Sequence, residues 1–247
     1  MDRFLYLAMS GAKETAYGQA INNHNLANAT THGFRQALGD AYTVPDRGPV
    51  YDSRDYVQVR DEVIDFSHGA LQSTGRDLDL AIEGEGFLAV QAPDGGEAYT
   101  RAGNLHIDTT GILRTDRGLP VLGDGGGPIA IPPNESLLIG TDGTITIRPL
   151  GSNPNALAAV DRIRLVNPDL ATLKRSEDGL IRAENGQAPP ADANVRVITG
   201  MLETSNVNTV AALTRMIELS RHFETQIKMM ETANNVEKTH NRLLANS

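Results

Sequence analysis

The fold of this chain is decided by residues 207–244, VNTVAALTRMIELSRHFETQIKMMETANNVEKTHNRLL. Positions spaced alternately by three and four residues indicate a helix that packs along a seam against other helices. These seam positions are Leu213, Met216, Ser220, Phe223, Ile227, Met230, Asn234 and Glu237. Ser205, Asn206 and Asn208 are candidate N-cap residues that would begin the helix. A helix of about 37 residues is about 55 Å long, so it needs a partner along its length.

The first 28 residues are predicted to form that partner helix. Alternating spacings of four and three connect Leu5, Met9, Ala12, Ala16, Gln19, Asn23 and Leu26. The small side chains of Ala12 and Ala16 would let two helix backbones approach closely. We therefore predict that the two ends of the chain pair and that the rest is looped out between them. Two amphipathic helices packed on an ordinary core are the alternative that periodicity leaves open.

The residues between the two helices divide into a connector and a β domain. Residues 36–77 contain Pro45, Gly48 and Pro49 and lack the apolar density of an independent domain, so we predict an extended connector. Residues 78–200 contain short β-branched or apolar runs separated by Gly- and Asp-rich turn signals, which indicates an all-β domain. The predicted class is α+β, with coiled-coil-like paired terminal helices in a discontinuous domain of residues 1–35 and 201–247.

The composition excludes several classes of function. The chain has 247 residues, a net charge of −9 and 4% aromatic residues, which argues against a nucleic-acid surface. Cysteine is absent, so disulfides, thiolate metal sites and a cysteine nucleophile are excluded. The six histidines lie too far apart in sequence to form a zinc motif, and no apolar run reaches the length of a membrane span. We expect no metal and no cofactor.

Two sequence patterns resemble sites of cofactor binding or catalysis, but we interpret both as structural features. Residues 84–89, GEGFLA, fit a dinucleotide-binding pattern, but the following residues continue as a strand, so we predict a tight turn between two strands. Asp77 and Asp79 alternate on one face of a predicted strand and are expected to lie on a solvated surface. No acid, base or nucleophile is placed by a motif. We therefore expect no catalytic residues and no enzyme.

Four short motifs carry a resemblance to a known family. Residues 25–35, NLANATTHGFR, resemble the N-terminal signature of the flagellar rod and hook proteins. Residues 69–87, 99–105 and 200–208 resemble three further signatures of that family, whereas residues 125–194 carry none. The signature residues are Asn25, Leu26, Ala27, Asn28, Gly33, Phe34, Gly84, Gly86, Phe87, Ser205, Asn206, Val207 and Asn208.

The resemblance implies a structural subunit of the rod of the bacterial flagellar basal body. Such a protein would assemble with other rod subunits, and with copies of itself, into a helical tube that transmits torque and serves as an export channel. The length and the opening Met1-Asp2 are most similar to a proximal-rod member. The resemblance further implies export by the flagellar type III apparatus without a cleaved signal peptide. Neither nucleic acid, membrane insertion nor a small-molecule substrate is expected.

Assembly would depend on the apolar positions of the two helices. The expected assembly residues are Leu5, Met9, Ala12, Ala16, Leu26, Leu213, Met216, Phe223, Ile227 and Met230. Two alternatives stay open, namely a distal-rod member of the same family and a secreted binding module that uses its β domain.

Overall fold

The computed structural model describes residues 2–39, 41–47, 52–59, 63–151, 153, 156–176 and 178–245. The chain divides into two compact units, here called the helical unit and the β unit. The helical unit consists of Met1–Ala29, Ala37–Asp65 and Val207–Ser247. The β unit consists of Thr30–Gln36 and Phe66–Asn206.

Both predicted helices are present, and local polar side chains define their ends. Helix α1 is Asp2–Ala27 and helix α2 is Thr209–Ala245, which has 37 residues. Of the three candidate caps, Asn208 begins α2, because its Oδ1 accepts hydrogen bonds from the backbone N of Val210 and of Ala211, both at 3.1 Å. After α1, the Asn28 side chain donates to the backbone O of His24 at 2.9 Å.

Within residues 36–77 the chain folds back into paired strands. Strands β1 (Ala37–Leu38) and β4 (Val63–Ile64) pair antiparallel, and β2 (Ala41–Arg47) pairs antiparallel with β3 (Asp52–Val59). The segment predicted as an extended connector thus contains two antiparallel strand pairs among its described residues. Pro45 lies in β2, a position that proline tolerates because this sheet has only two strands and both are edges.

Among the described residues, the β unit contains fourteen short strands, and every pair of these strands is antiparallel. They are β5 (Leu71–Ser73), β6 (Leu80–Glu83), β7 (Phe87–Gln91), β8 (Glu97–Thr100), β9 (Leu105–Ile107), β10 (Leu113–Thr115), β11 (Asn134–Ile139), β12 (Thr144–Pro149), β13 (Ala158–Arg162), β14 (Leu165–Val166), β15 (Leu173–Arg175), β16 (Ile181–Ala183), β17 (Arg196–Thr199) and β18 (Met201–Glu203). The largest sheet has the order β14-β7-β8-β16-β15, and a second sheet has the order β11-β12-β13. The pairs β9–β10, β6–β17 and β5–β18 complete the unit.

The core of the β unit is aliphatic, as the low aromatic content requires. Its main cluster is built from Leu, Ile and Val side chains, and Leu88, Val121 and Ile163 are fully buried within it. The ring of Phe87 is also buried and meets Phe66 edge-to-face at 6.0 Å between centroids. The structure thus contains the predicted central β domain in an α+β chain.

Two glycine turns decide how the strands connect. Gly84 and Gly86 have φ of 75° and 121°, and β7 continues directly after them, so the dinucleotide-like motif is the predicted tight turn between strands. Gly200 has φ of 72° and separates β17 from β18. Each half then pairs with a different partner, β6 and β5 respectively.

The interpretation of Asp79 as a solvated residue is wrong. Its side chain is buried, and its Oδ1 lies 3.4 Å from Nη1 of Arg76. Asp77 is exposed, so the two carboxylates do not share one face. The difference arises because residue 79 forms an isolated bridge with Asn104, a partner too distant in sequence for the local pattern to reveal.

Asp108, in the turn after β9, is predicted to make the stability of the protein depend on pH. The carboxylate of Asp108 accepts bonds from the Thr110 hydroxyl at 2.6 Å and from Nε of Arg114 at 2.6 Å. These bonds, first that from Thr110, lower the pKa of Asp108. Because the folded-state pKa lies below the unfolded one, the stabilisation is complete above an ordinary aspartate pKa of about 3.9 and is lost as the pH falls further. Asp108→Asn should therefore be less stable at neutral pH and lose less stability on acidification.

Urea unfolding followed from neutral to acidic pH tests this expectation. Asp116→Asn removes the same charge from an exposed neighbouring turn and should change the stability at neutral pH by less than about 0.5 kcal/mol. A pH profile of Asp108→Asn that runs parallel to that of the unchanged protein would contradict the assigned role of Asp108.

Candidate functional site

Helices α1 and α2 lie against each other through small and polar side chains. Nδ2 of Asn22 donates to the backbone O of Ala212 at 2.8 Å, and Nε2 of Gln19 donates to Oγ of Ser220 at 3.4 Å. A Cβ added at Gly11 would lie 2.9 Å from the end of the Gln226 side chain, a flexible group that can move to accommodate it. Asn22 is buried, so its hydrogen bond to α2 favours one register of the two helices over the others.

Helix α1 exposes an apolar stripe that α2 does not cover. The exposed side chains are those of Leu5, Tyr6, Met9, Ala16 and Tyr17, and Tyr6 is 60% exposed. At 3.6 residues per turn they span an arc of about 120°, and Leu5, at one edge of this arc, is next to the buried Ala12. Leu7, which is 48% exposed, lies outside the arc. A contiguous exposed apolar surface of this kind is typical of a protein–protein contact.

The first turns of α2 carry a second exposed apolar group. Val210, Leu213 and Ile217 are exposed, and Val210 is 72% exposed. At 100° per residue the centre of this group lies about 120° from that of the half-buried Phe223 and Met230, and Leu213 is about 80° from Phe223. Both helices therefore present more apolar surface than their mutual contact covers.

The predicted assembly residues divide between these exposed surfaces and the interhelix contact. Ala12 is buried, whereas Leu5, Met9, Ala16 and Leu213 are exposed. The remaining predicted positions are half-buried, namely Leu26, Met216, Phe223, Ile227 and Met230.

A buried ion-pair cluster in the β unit brings three of the motifs onto one carboxylate. Nη2 of Arg35 lies 2.9 Å from Oε1 of Glu203, and Nε of Arg101 lies 2.6 Å from Oε2 of Glu203. All three side chains are at most 3% exposed. We call Arg35, Arg101 and Glu203 the signature cluster. One carboxylate with a bond to each of two guanidinium groups is a charge-assisted arrangement that holds distant chain segments together.

Arg101 also fixes the second motif, the turn between β6 and β7. Its Nη2 donates to the backbone O of Gly84 at 2.8 Å and its Nη1 donates to the backbone O of Gly86 at 3.2 Å. The positive φ of both glycines turns these carbonyls toward the guanidinium. The signature turn therefore serves as an acceptor surface for an arginine.

The remaining signature residues position the chain around this cluster. Gly33 donates its backbone N–H to the backbone O of Glu203 at 2.8 Å, and a Cβ at Gly33 would lie 2.3 Å from the carbonyl carbon of Arg101. Oδ1 of Asn206 accepts from the backbone N of Gln36 at 2.7 Å. The Phe34 ring stacks under Arg175, whose guanidinium carbon lies 5.0 Å from the ring centroid.

The other residues of the first and last motifs serve the helical unit. The side chain of Asn25 is buried and exchanges two hydrogen bonds with the backbone of Ala37, at 2.7 and 2.8 Å. Asn208 is the N-cap of α2. Leu26, Asn28, Ser205 and Val207 are half-buried, and Ala27 is exposed.

Sequence reasoning missed the chemistry of Arg35, Arg101 and Glu203. Each lies inside one of the four motifs, but none is among the expected signature residues. The available signal was a charged residue between glycines and apolar residues, as at Arg101 within YTRAG and Glu203 within GMLETS. A charge in such a context is rarely buried unless it is paired.

The described residues give no support for a metal site or a membrane span. No group of three or more His, Asp or Glu side chains among them is arranged to hold a metal ion. None of the described helical segments is long and apolar enough to cross a membrane. The features that remain are the apolar helix surfaces and the signature cluster.

Comparison with known proteins identifies the family. The model of the flagellar hook protein FlgE/F/G D1 domain matches residues 81–147, and that of the flagellar basal body rod FlgEFG protein C-terminal region matches residues 198–243. The flagellar basal-body rod protein FlgF of Salmonella typhimurium is 41% identical, and that of Escherichia coli is 40% identical, each over 100% of both chains. The flagellar basal-body rod protein FlgG of Bacillus subtilis is 31% identical over 96% of this chain and 97% of its own. The chain belongs to the flagellar basal-body rod protein family.

Proposed function

We propose that this chain is a structural subunit of the proximal rod of the bacterial flagellar basal body. The observation that carries the proposal is similarity to FlgF relatives along the entire chain, which includes both helices and the β unit. Its role is mechanical, since the relatives are rod proteins. The rod that it helps to build transmits torque and encloses the export channel.

The terminal helices are the proposed assembly element. They pair as a coiled-coil-like, discontinuous domain of residues 1–35 and 201–247, with 36–77 as a connector and 78–200 as the β domain. Support comes from the contact of Asn22 with Ala212 and from the apolar stripe that includes Leu5, Met9 and Ala16. When copies of a subunit contact one another head to tail through such a surface, and the rotation between copies does not close into a ring, a helical tube results.

The partners follow from this place in the flagellum. Other rod subunits of the same family, and further copies of this chain, cover the exposed faces of α1 and α2. The chain reaches the periplasm-spanning rod through the flagellar type III export apparatus, without a cleaved signal peptide. The bonds of Asn22 to Ala212 and of Gln19 to Ser220, a predicted seam residue, keep the helices in register before neighbours arrive. Asn23, the polar residue predicted for the seam of α1, is exposed instead.

A complementation experiment tests the proximal-rod assignment. In a bacterial strain that is non-motile because its own FlgF has been deleted, expression of this chain should restore swimming in soft agar. Basal bodies purified from that strain should contain the chain. Failure to restore swimming, with the chain exported at a normal level, would contradict the assignment.

A distal-rod role is the second candidate, because FlgG of Bacillus subtilis is also similar over nearly the whole chain. The same experiment in a strain that lacks FlgG separates the two candidates. Restored swimming in the FlgG-deficient strain alone would assign the chain to the distal rod.

A further inference from the structure

Seven residues of the β unit are separated from the rest of that unit in sequence. Thr30–Gln36, here called the strap, is divided from Phe66–Asn206 by residues that belong to the helical unit. The strap forms no strand. Arg35 is its one buried side chain, whereas the others are half-buried or exposed. The attachment of the strap therefore rests on polar contacts rather than on an apolar core.

The buried guanidinium of Arg35 depends on Glu203. Its Nη2 pairs with Glu203 and lies 3.3 Å from Nδ1 of His68, while its Nη1 donates to the backbone O of Ser67. Oε1 of Glu203 also accepts from the backbone N of Gly69 at 2.9 Å. One carboxylate thus holds the strap and the segment that leads into β5 at the same point.

Backbone contacts on either side of Arg35 complete the attachment. Gly33 donates to the backbone O of Glu203, Gln36 donates to Asn206, and the backbone O of Arg35 accepts from Nη2 of Arg175 at 2.5 Å. Ordering seven residues costs conformational entropy, and little apolar burial offsets it. Segments with few buried apolar contacts open at lower free energy than the core they lie on.

We propose that the strap is a latch that opens as a unit while the sheets of the β unit stay folded, with Glu203 as the residue that keeps it closed. Opening releases the seven residues of the strap, which lie between α1 and β1 and span about 25 Å when fully extended. A subunit whose helices meet several neighbours gains conformational freedom at this link during assembly. The latch itself follows from the β-unit contacts and does not depend on the rod assignment.

Hydrogen exchange in the full chain tests the latch. The amide of Gly33 reports the strap, and the amide of the fully buried Leu88, which lies in β7 between β14 and β8, reports the core. We expect Gly33 to exchange at least tenfold faster than Leu88 after correction for intrinsic rates, with an opening that is insensitive to low urea. Equal opening rates with equal urea dependence would show that the strap opens only by global unfolding, and would overturn the proposal.

Substitution of Glu203 tests the residue assigned as the latch. Glu203→Gln keeps the shape of the side chain and removes the counterion of Arg35. We expect trypsin to cleave after Arg35 at least tenfold faster, which yields a fragment beginning at Gln36, while Leu88 stays protected. Unchanged cleavage at Arg35 in a folded variant would overturn the role of Glu203.

Glu184→Gln is the matched control. Glu184 forms an exposed pair with Lys174 at 2.7 Å, so its loss should leave cleavage after Arg35 unchanged. Asn206→Ala removes the bond to Gln36 and should increase cleavage by a smaller factor. If Glu203→Gln does not fold, the exchange rates of Gly33 and Leu88 in the unchanged protein still decide the proposal.

Discussion

Replacement of Ile227 by aspartate should abolish rod formation and swimming. Ile227 is half-buried on α2, one turn after Phe223 on the side that packs, and its full burial in an assembled rod is worth about 1.5–3 kcal/mol. Aspartate at this position loses that contribution and adds the cost of placing a carboxylate in an apolar contact. Because every subunit carries the change, the loss repeats at each contact of the assembly. Soft-agar swimming and electron microscopy of basal bodies measure the effect.

Lys228→Asp is the matched control on the neighbouring residue. Lys228 is exposed, so the substitution changes the charge but leaves the packed side of α2 intact. Motility should largely survive, and the thermal unfolding of the β unit should be the same in both variants. A motile Ile227→Asp strain beside a non-motile Lys228→Asp strain would mean that the assigned face of α2 is wrong.

The helices were predictable because their signals are local. The cap at Asn208 and the uninterrupted periodic pattern give the beginning and length of α2 to within two residues. The buried side was predicted less well, since Ala212 and Ala233 are buried where Leu213 and Asn234 were expected. Both buried residues precede the expected one by a single position, so the buried face is rotated relative to the predicted seam and does not drift along the helix.

The strand pairing was not predictable, because it joins distant parts of the chain. Ile181 pairs with Tyr99 across more than eighty residues, and neither flanking sequence encodes the other. The signature cluster has the same property, since Arg35 and Glu203 lie at opposite ends of the β unit in sequence. The motifs indicated that these segments matter, but only the fold shows that one carboxylate connects them.

Substitution of Gly103 by alanine should destabilise the β unit strongly. A Cβ at this position would lie 1.8 Å from the backbone O of Leu80, a contact that only movement of the backbone can relieve. That movement would also strain the hydrogen bond from Leu80 N to Gly103 O, which is 2.9 Å long, and the nearby Arg101. Overpacking and a lost hydrogen bond together cost on the order of 3 kcal/mol. For a unit of this size the melting temperature should fall by roughly 10 °C, which circular dichroism would measure.

Gly125→Ala provides the matched control for Gly103→Ala. A Cβ at Gly125 meets no atom within 4 Å, and its loop is exposed, so alanine is accommodated without backbone movement. We expect its stability to remain within about 0.5 kcal/mol of the unchanged protein. Gly103 is part of the third motif, whereas Gly125 lies outside all four, so the pair separates a steric requirement from a general effect of losing glycine. Equal melting temperatures for the two variants would contradict the close approach of residues 80 and 103, and with it the packing that places Arg101 beside Glu203.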